Sequence, residues 1–438
     1  MLGWYSKGFE DIFLLCTNFM NIAFFIASKI SGIRKSEGFS GPIVWLASAT
    51  VALALSVMMI AVSVVTGFQK EISEKVTSLQ AHIQVQTFAG GSAFESEPFT
   101  YDPNLALHLS SLDGVKSVTP FSSKPGILKW NGEIQGVLFK GLATDYPDDF
   151  FQTYLVEGEP LKYKGDSTES SIDIAVSVEL CRKLGLKLND SIVSYFINRP
   201  GPKVPEVSNP QRAPRTYRIS AIYETGLAEL DEKMVFCDMR QVQDLNNWYF
   251  SQIGGYEIMI DDVSKLEELT DEVRINTPFD LLVRNVKDVE PEIFIWLEYQ
   301  NVNVLILIIL MIVVGTVSIT SALLILILER TNMIGILKAL GANQKILVRV
   351  FLYRAAIIVS SGMLIGNFIS FAIIYAQRIG KFIRLDKATY YVEVVPMHTP
   401  WLWFLAINVG TFIICMLALL GPVQAIKGVK PIKAIRFD

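Results

Sequence analysis

The chain has 438 residues, 51% of them hydrophobic, and a formal net charge of −4 at pH 7 from 39 basic and 43 acidic residues. With a mean hydropathy of +0.38 it is too apolar for a soluble enzyme and too charged to lie wholly in a membrane. A few spanning helices beside a sizeable polar domain are expected.

Residues 1–41 read as a cytoplasmic N-terminal region with a helix lying in the membrane interface over residues 21–31; a fifth span or an uncleaved signal segment over residues 11–28 is the alternative. Phe24, Phe25 and Ile26 would be buried there and Lys29 would face headgroups. Apolar windows then mark four spans, residues 42–66, 302–328, 351–376 and 401–423, each long enough to cross a hydrocarbon core of about 30 Å. Between the first two lie residues 67–301, polar and long enough to hold their own cores. The first span continues past Thr66 into a polar helix with Glu71 and Lys75 four residues apart.

Inside that long interval, residues 82–86, 114–118, 126–130, 134–141, 174–176, 191–197, 217–223, 234–236 and 256–260 read as strands. Residues 105–109, 177–184, 240–245 and 265–274 read as helices. Asn131-Gly132 is a hairpin turn signal. Residues 199–214 hold five prolines and a glycine, which disfavours ladder strand and helix alike and suggests an exposed, stiff arm. The domain is α+β, with two small sheets each backed by helices. Residues 291–299 lead straight into the second span as helix.

The second span ends at Glu329-Arg330, and a short amphipathic helix follows with Gly341 as its left-handed stop. Residues 329–350 separate spans two and three, residues 377–400 separate spans three and four, and residues 424–438 form a basic tail. Gly362 and Gly366 in the third span give the small-xxx-small spacing that lets helices approach closely. Basic residues set the orientation. Lys7, Lys29, Arg34, Lys35, Arg330, Lys338, Lys345, Arg349, Lys427, Lys430, Lys433 and Arg436 fall on one side, the cytoplasmic one, with both termini, against Arg378, Lys381, Arg384 and Lys387 on the opposing short loop. The large domain is then exterior. It carries 22 basic and 36 acidic residues, a net of −14, which makes nucleic acid an unsuitable partner. Cys181 and Cys237 lie in it, either paired or as two buried thiols.

No phosphate-binding glycine loop, nucleophile elbow or metal-ligand spacing occurs, and His82, His108 and His398 are scattered. No ionisable residue sits at the centre of a span, which argues against an ion relay. The chain reads as non-catalytic, with no cofactor or metal of its own. Work, if done, must be driven by a partner.

The segment Glu329-Arg330-x-x-x-Ile334-Gly335-Ile336-Leu337-Lys338-Ala339-Leu340-Gly341-Ala342 resembles the segment after the second helix of FtsX/MacB-type ABC permeases. Phe24-Phe25-Ile26-Ala27, Gly67-Phe68, Gly226-Leu227-x-Glu229-x-Asp231, Tyr390-Tyr391-Val392-x-x-x-Pro396 and Pro431-x-x-Ala434-Ile435-Arg436 narrow the resemblance to lipoprotein-releasing permeases of the LolC/LolE type. The resemblance implies an α-helical membrane protein of the inner membrane with four transmembrane helices and a large α+β periplasmic domain inserted between helices one and two. It implies a second permease chain, identical or a sibling, and a cytoplasmic ABC ATPase dimer that holds the ATP and Mg. It implies a lipoprotein substrate drawn from membrane lipids and a periplasmic carrier that receives it. The ATPase would push on Glu329, Arg330, Met333, Gly335, Leu337, Lys338 and Gly341; Met333 stands where the family usually has a glutamate. Val51, Leu55, Met58, Met59 and Val62 of span one, with Leu307, Met311 and Val314 of span two, would line an apolar substrate cavity, where methionine suits irregular acyl chains. Pro202, Pro205 and Arg212 of the arm would touch the carrier. Efflux of the MacB kind, or FtsX-like relay of ATPase motion to an exterior partner, is the alternative.

Overall fold

The computed structural model describes residues 40–88, 97–144, 146, 149–161, 171–197, 202–203 and 212–423. The interfacial helix expected at residues 21–31, Pro205 and the basic tail lie outside them. Among the described residues four helices are long and apolar enough to cross a membrane: α1 (Ser40–Gln80), and, later in the chain, Pro291–Glu329, Gln344–Gly380 and a fourth beginning at Trp401. The chain packs into two compact units. One takes the described residues up to Phe68, with 298–383 and 394–423; the other takes 69–297 and 384–393.

The second unit is built on β1 (Ile83–Thr87), β2 (Phe99–Thr100), β3 (Val115–Trp130), β4 (Glu133–Leu142), β5 (Leu155–Gly158), β6 (Asp173–Ser177), β7 (Ser191–Ile197), β8 (Arg212–Tyr223), β9 (Met234–Asp238), β10 (Gln252–Ile253), β11 (Gly255–Ile260) and β12 (Leu281–Asn285). Its helices are α2 (Pro103–Ser110), α3 (Asp149–Tyr154), α4 (Val178–Leu184), α5 (Ala228–Asp231), α6 (Met239–Leu245), α7 (Leu266–Ile275) and α8 (Val286–Val289). Local chemistry fixes their ends. Asp102 accepts from the Asn104 N–H ahead of α2, and Ser177 accepts from the Leu180 N–H ahead of α4, which Gly185 closes in the left-handed region. Asn131 and Gly132 both take positive φ, as a primed turn between β3 and β4 requires.

The two small sheets expected from the sequence are one. Among the described residues ten strands join in a mixed sheet of order β12-β1-β11-β3-β4-β9-β6-β8-β5, with β7 pairing both β3 and β8, while β2 and β10 pair apart. The reason is β3, which runs 16 residues through Pro120, Pro125 and Gly126 where two short strands were expected. Its residues 115–121 pair β11, residues 121–130 pair β4, and residues 127–129 also pair β7 on the other edge. The arm also shortens. Residues 212–214 belong to β8, with Tyr195 opposite Pro214, Phe196 opposite Ala213 and Ile197 opposite Arg212. A proline is tolerated in a ladder where its missing N–H is not needed. Leu128, Phe139, Phe196, Tyr217 and Val235 belong to a core on one side of this sheet. Cys181 and Cys237 are free thiols.

The first unit holds most of α9 (Pro291–Glu329), then α10 (Thr331–Ala339), α11 (Gln344–Gly380) and α13 (Trp401–Ala418), after a short α12 (Lys387–Tyr390) that belongs to the sheet unit. A cluster around Val51, Ile319, Leu326, Phe351, Ile358 and Leu419 ties these helices at one end, and one around Leu55, Met58, Met59, Ile374, Phe404 and Ile407 ties them at the other.

Candidate functional site

The foot helix α10 begins directly after α9, with Arg330 as its cap. Its end is a Schellman turn: the Ala342 N–H donates to Leu337 O at 2.9 Å and the Gly341 N–H to Lys338 O at 3.1 Å, with Gly341 at φ +88. Gly341 therefore ends the helix as its position in the sequence suggested. Ile334 is fully buried, and Met333 and Leu337 pack on the same helix cluster as Ile334. The seven residues expected to meet an ATPase thus divide. Gly335 is buried, Met333 and Leu337 face the chain's own helices, Arg330 and Lys338 are half-buried, and Glu329 and Gly341 are exposed. The outward apolar groups are Ile336 and Leu340, 52% and 79% exposed. They stood inside the quoted motif but were passed over, because two turns of helix cannot show by periodicity alone which side is already covered.

The expected cavity residues divide more sharply. Val51, Leu55, Met58, Met59 and Val62 are all turned into the chain's own helix packing and are almost without solvent contact. Leu307 and Met311 pack partly on the same cluster, and Val314 is exposed. Close approach explains the placement. A Cβ on Gly362 would lie 2.7 Å from Ser48 O, and one on Gly366 would lie 2.7 Å from Ala52 O, so α11 presses its glycines onto α1. Ser56 Oγ donates to Gly366 O at 3.0 Å across that seam. Asn367 and Asn408 exchange amide hydrogen bonds at 2.7 and 3.1 Å between α11 and α13. Bare apolar surface runs along α9 at Ile306, Ile309, Leu310, Val313, Val314 and Val317, and α1, α11 and α13 expose apolar groups as well, Leu53, Leu364, Phe368, Leu402 and Leu405 among them.

In the sheet unit the motif residues converge. Asp231 accepts from the N–H groups of Thr225 and Gly226, each at 3.1 Å, and from Thr225 Oγ1 at 2.7 Å, which pins the turn where Gly226 takes φ +86. Burial nonetheless raises its pKa to about 6, against the lowering effect of those hydrogen bonds. Tyr391, at φ +60, takes Lys75 Nζ of α1 on its carbonyl at 2.9 Å. Its hydroxyl lies 3.4 Å from Glu229 and its ring meets Trp296 of α9 edge-on. The polar extension of α1, the start of α9 and the 384–393 segment are thereby joined within one unit. A further anchor is Lys140, which donates to Leu79 O at the end of α1 at 2.6 Å and pairs with Glu257 at 2.6 Å, both side chains almost fully buried. Sequence reasoning missed this pair; a lysine and a glutamate alternating inward in apolar strands were its only signal.

Of the arm residues, Pro202 is exposed, Arg212 is paired through its backbone in β8, and Pro205 lies outside the described residues.

The profile described as FtsX-like permease C-terminal matches residues 305–431. "Lipoprotein-releasing system transmembrane protein LolE" of Haemophilus influenzae is 21% identical over 430 residues, covering 95% of this chain and 99% of its own length. "Lipoprotein-releasing system transmembrane protein LolC" of Xylella fastidiosa is 22% identical, covering 92% of this chain and 96% of its own. The LolC protein of Neisseria meningitidis serogroup B is 21% identical with the same coverage. These relatives match over nearly the whole of this chain and of their own length. The profile of the MacB-like periplasmic core domain runs over residues 44–275, more than half of the chain, and it is to this family that the chain belongs.

Proposed function

We propose that this chain is the membrane permease subunit of an ABC transporter that draws lipoproteins from the outer leaflet of the inner membrane and passes them to a periplasmic carrier. The observation that carries the reading is end-to-end similarity to lipoprotein-releasing transmembrane proteins, from the first long helix to the last. Efflux or FtsX-like relay lacks that support. The four long helices cross the inner membrane, both termini are cytoplasmic and the sheet unit is periplasmic. The chain itself does no bond chemistry: ATP and Mg belong to a cytoplasmic ATPase dimer, and a second permease chain completes the transporter.

Mechanically, ATPase closure bears on α10. The surface it meets is the outward face, Ile336 and Leu340 with Glu329 beside them, while Met333, Gly335 and Leu337 seat the foot on its own helices. A fixed seat lets a push at α10 move the helices it rests on rather than bend a loop. The substrate's acyl chains lie against the bare stripe of α9, with Val314 among its residues, and Leu307 and Met311 border it. Val51, Leu55, Met58, Met59 and Val62 act instead as the interior seam that holds α1 to α11 and α13. Pro202 and the arm around it reach the carrier.

Affinity purification from native membranes, with mass spectrometry of proteins and lipids, tests the reading. An ABC ATPase and acylated lipoproteins are expected together. Recovery of a cell-wall hydrolase without acylated protein overturns it.

A further inference from the structure

The sheet unit contains a cavity of about 510 Å³, within the size range of small-molecule sites. One wall is a face of the sheet. The β3–β11 register sets Glu257 opposite Thr119 and Met259 opposite Ser117, so these four side chains share that face. The last turns of α1, through Thr77 and Ser78, and α3, through Phe150 and Thr153, form the other sides. Two buried polar atoms on the sheet wall have no hydrogen-bond partner among the described residues: Glu257 Oε2 and Ser117 Oγ. Glu257 is 1% exposed, and its other oxygen already holds Lys140. Buried acceptors in folded proteins are nearly always paired, so an unpaired carboxylate oxygen beside a cavity of this size calls for a donor from whatever fills it.

Charge narrows the chemistry. The wall carries Glu74, Asp149, Glu257 and Asp261 and one cation, Lys116, since His82 is held neutral by burial and by Lys116 nearby. Lys70 at 3.9 Å and Lys140 at 2.6 Å answer Glu74 and Glu257 from outside the lining, which leaves the acidic excess at Asp261 and the second oxygen of Glu257. Lys116 is answered by Asp149 at 3.1 Å. An anion is repelled and a cation welcomed. Phe150, Tyr154, Met259, Ile260 and Val263 supply the apolar remainder.

We propose that this cavity binds a small molecule with an apolar body and one primary ammonium head, the head donating to Glu257 Oε2 and Ser117 Oγ. The site is separate from the lipoprotein path and does not depend on that reading. It gives the sheet unit a ligand of its own.

The test is calorimetric titration of the full chain in nanodiscs, with empty nanodiscs subtracted. The probes are benzylamine, benzyl alcohol and benzoate, which share a body and differ in the head. Benzylamine is expected to bind saturably and benzoate not at all. Thr153→Trp, at an exposed edge of the cavity, should weaken benzylamine at least about tenfold without altering the melting temperature. Glu257→Gln should remove the preference for amine over alcohol. Benzoate binding as tightly as benzylamine, an unchanged affinity in Thr153→Trp, or no saturable heat with benzylamine, which would mean that water alone fills the space, each overturns the proposal.

Discussion

Replacing Lys140 with methionine keeps the length of the side chain and deletes its charge. In the folded protein that ammonium lies 2.6 Å from Glu257 Oε1 and 2.6 Å from the carbonyl of Leu79. Without it, Glu257 retains, among the described residues, the Gln84 amide at 3.4 Å, and the Leu79 carbonyl loses its lysine donor. Breaking a buried ion pair from one side costs about 3–5 kcal/mol, because the remaining charge is stranded in an apolar interior. Domain stability is only about 5–15 kcal/mol, so the loss is a large share of it. The chain has two units and need not unfold in one step, so native-state hydrogen exchange at the sheet amides is the suitable assay. Protection at Tyr256 and Phe139, both buried in central strands, should fall by about two to three and a half decades in Lys140→Met. The double variant Lys140→Met/Glu257→Met removes both charges and should regain most of that loss, since a buried pair replaced by apolar groups is often near neutral. A drop of less than tenfold in the single variant, or a double variant as unprotected as the single one, would refute the argument that this pair anchors the end of α1 to the sheet.

Between pH 4 and 6.5 two groups in the sheet unit act in opposite directions. Burial, with Lys116 nearby, lowers His82 from 6.5 to about 4, so its contribution is complete above pH 6.5 and is lost as pH falls toward 4. Asp231 is raised from 3.8 to about 6, so its contribution is greatest below 3.8 and is lost as pH rises through 6. Relative to the parent chain, Asp231→Asn should therefore lose melting temperature more steeply on acidification and His82→Asn less steeply; curves parallel to the parent's would dismiss both assignments. Gly362→Val forces a side chain onto the Ser48 carbonyl and should cost about 1–3 kcal/mol, whereas Gly410→Val, with nothing within 4 Å of its added Cβ, should be silent. Thermal aggregation of the two purified variants compares them directly, and equal midpoints would mean that the α1–α11 seam is looser than described. Ile336→Asp and Leu340→Asp should leave expression and melting unchanged while abolishing the permease-stimulated part of ATP hydrolysis by the co-purified ATPase. Full stimulation in both would move the contact away from the outward face of α10.

The sequence alone determined the long apolar helices, the position of the large polar interval, the Asn131-Gly132 hairpin and the Gly341 stop. Each is a local property: a run of apolar residues, a pair of residues that accept positive φ, a glycine after an amphipathic turn. It misjudged the sheet because Pro120, Pro125 and Gly126 punctuate β3 as turns do, although the strand continues through them. Local signals report what a segment tolerates, and the pairing of β3 with β4, β7 and β11 decided what it does.

The site residues divide along the same line. That α1 is apolar was plain, but a helix apolar on every side carries no periodic mark of which side meets a neighbour. The packing of Gly362 and Gly366 onto Ser48 and Ala52 shows which side of α1, with Val51 and Leu55, is turned inward. The ion pair of Lys140 and Glu257 was likewise invisible, because its partners lie on strands far apart in the chain and meet only when β3 sets them on one face of the sheet. Composition and short-range pattern thus specified the parts, and long-range contact chose which face of each part was available for function.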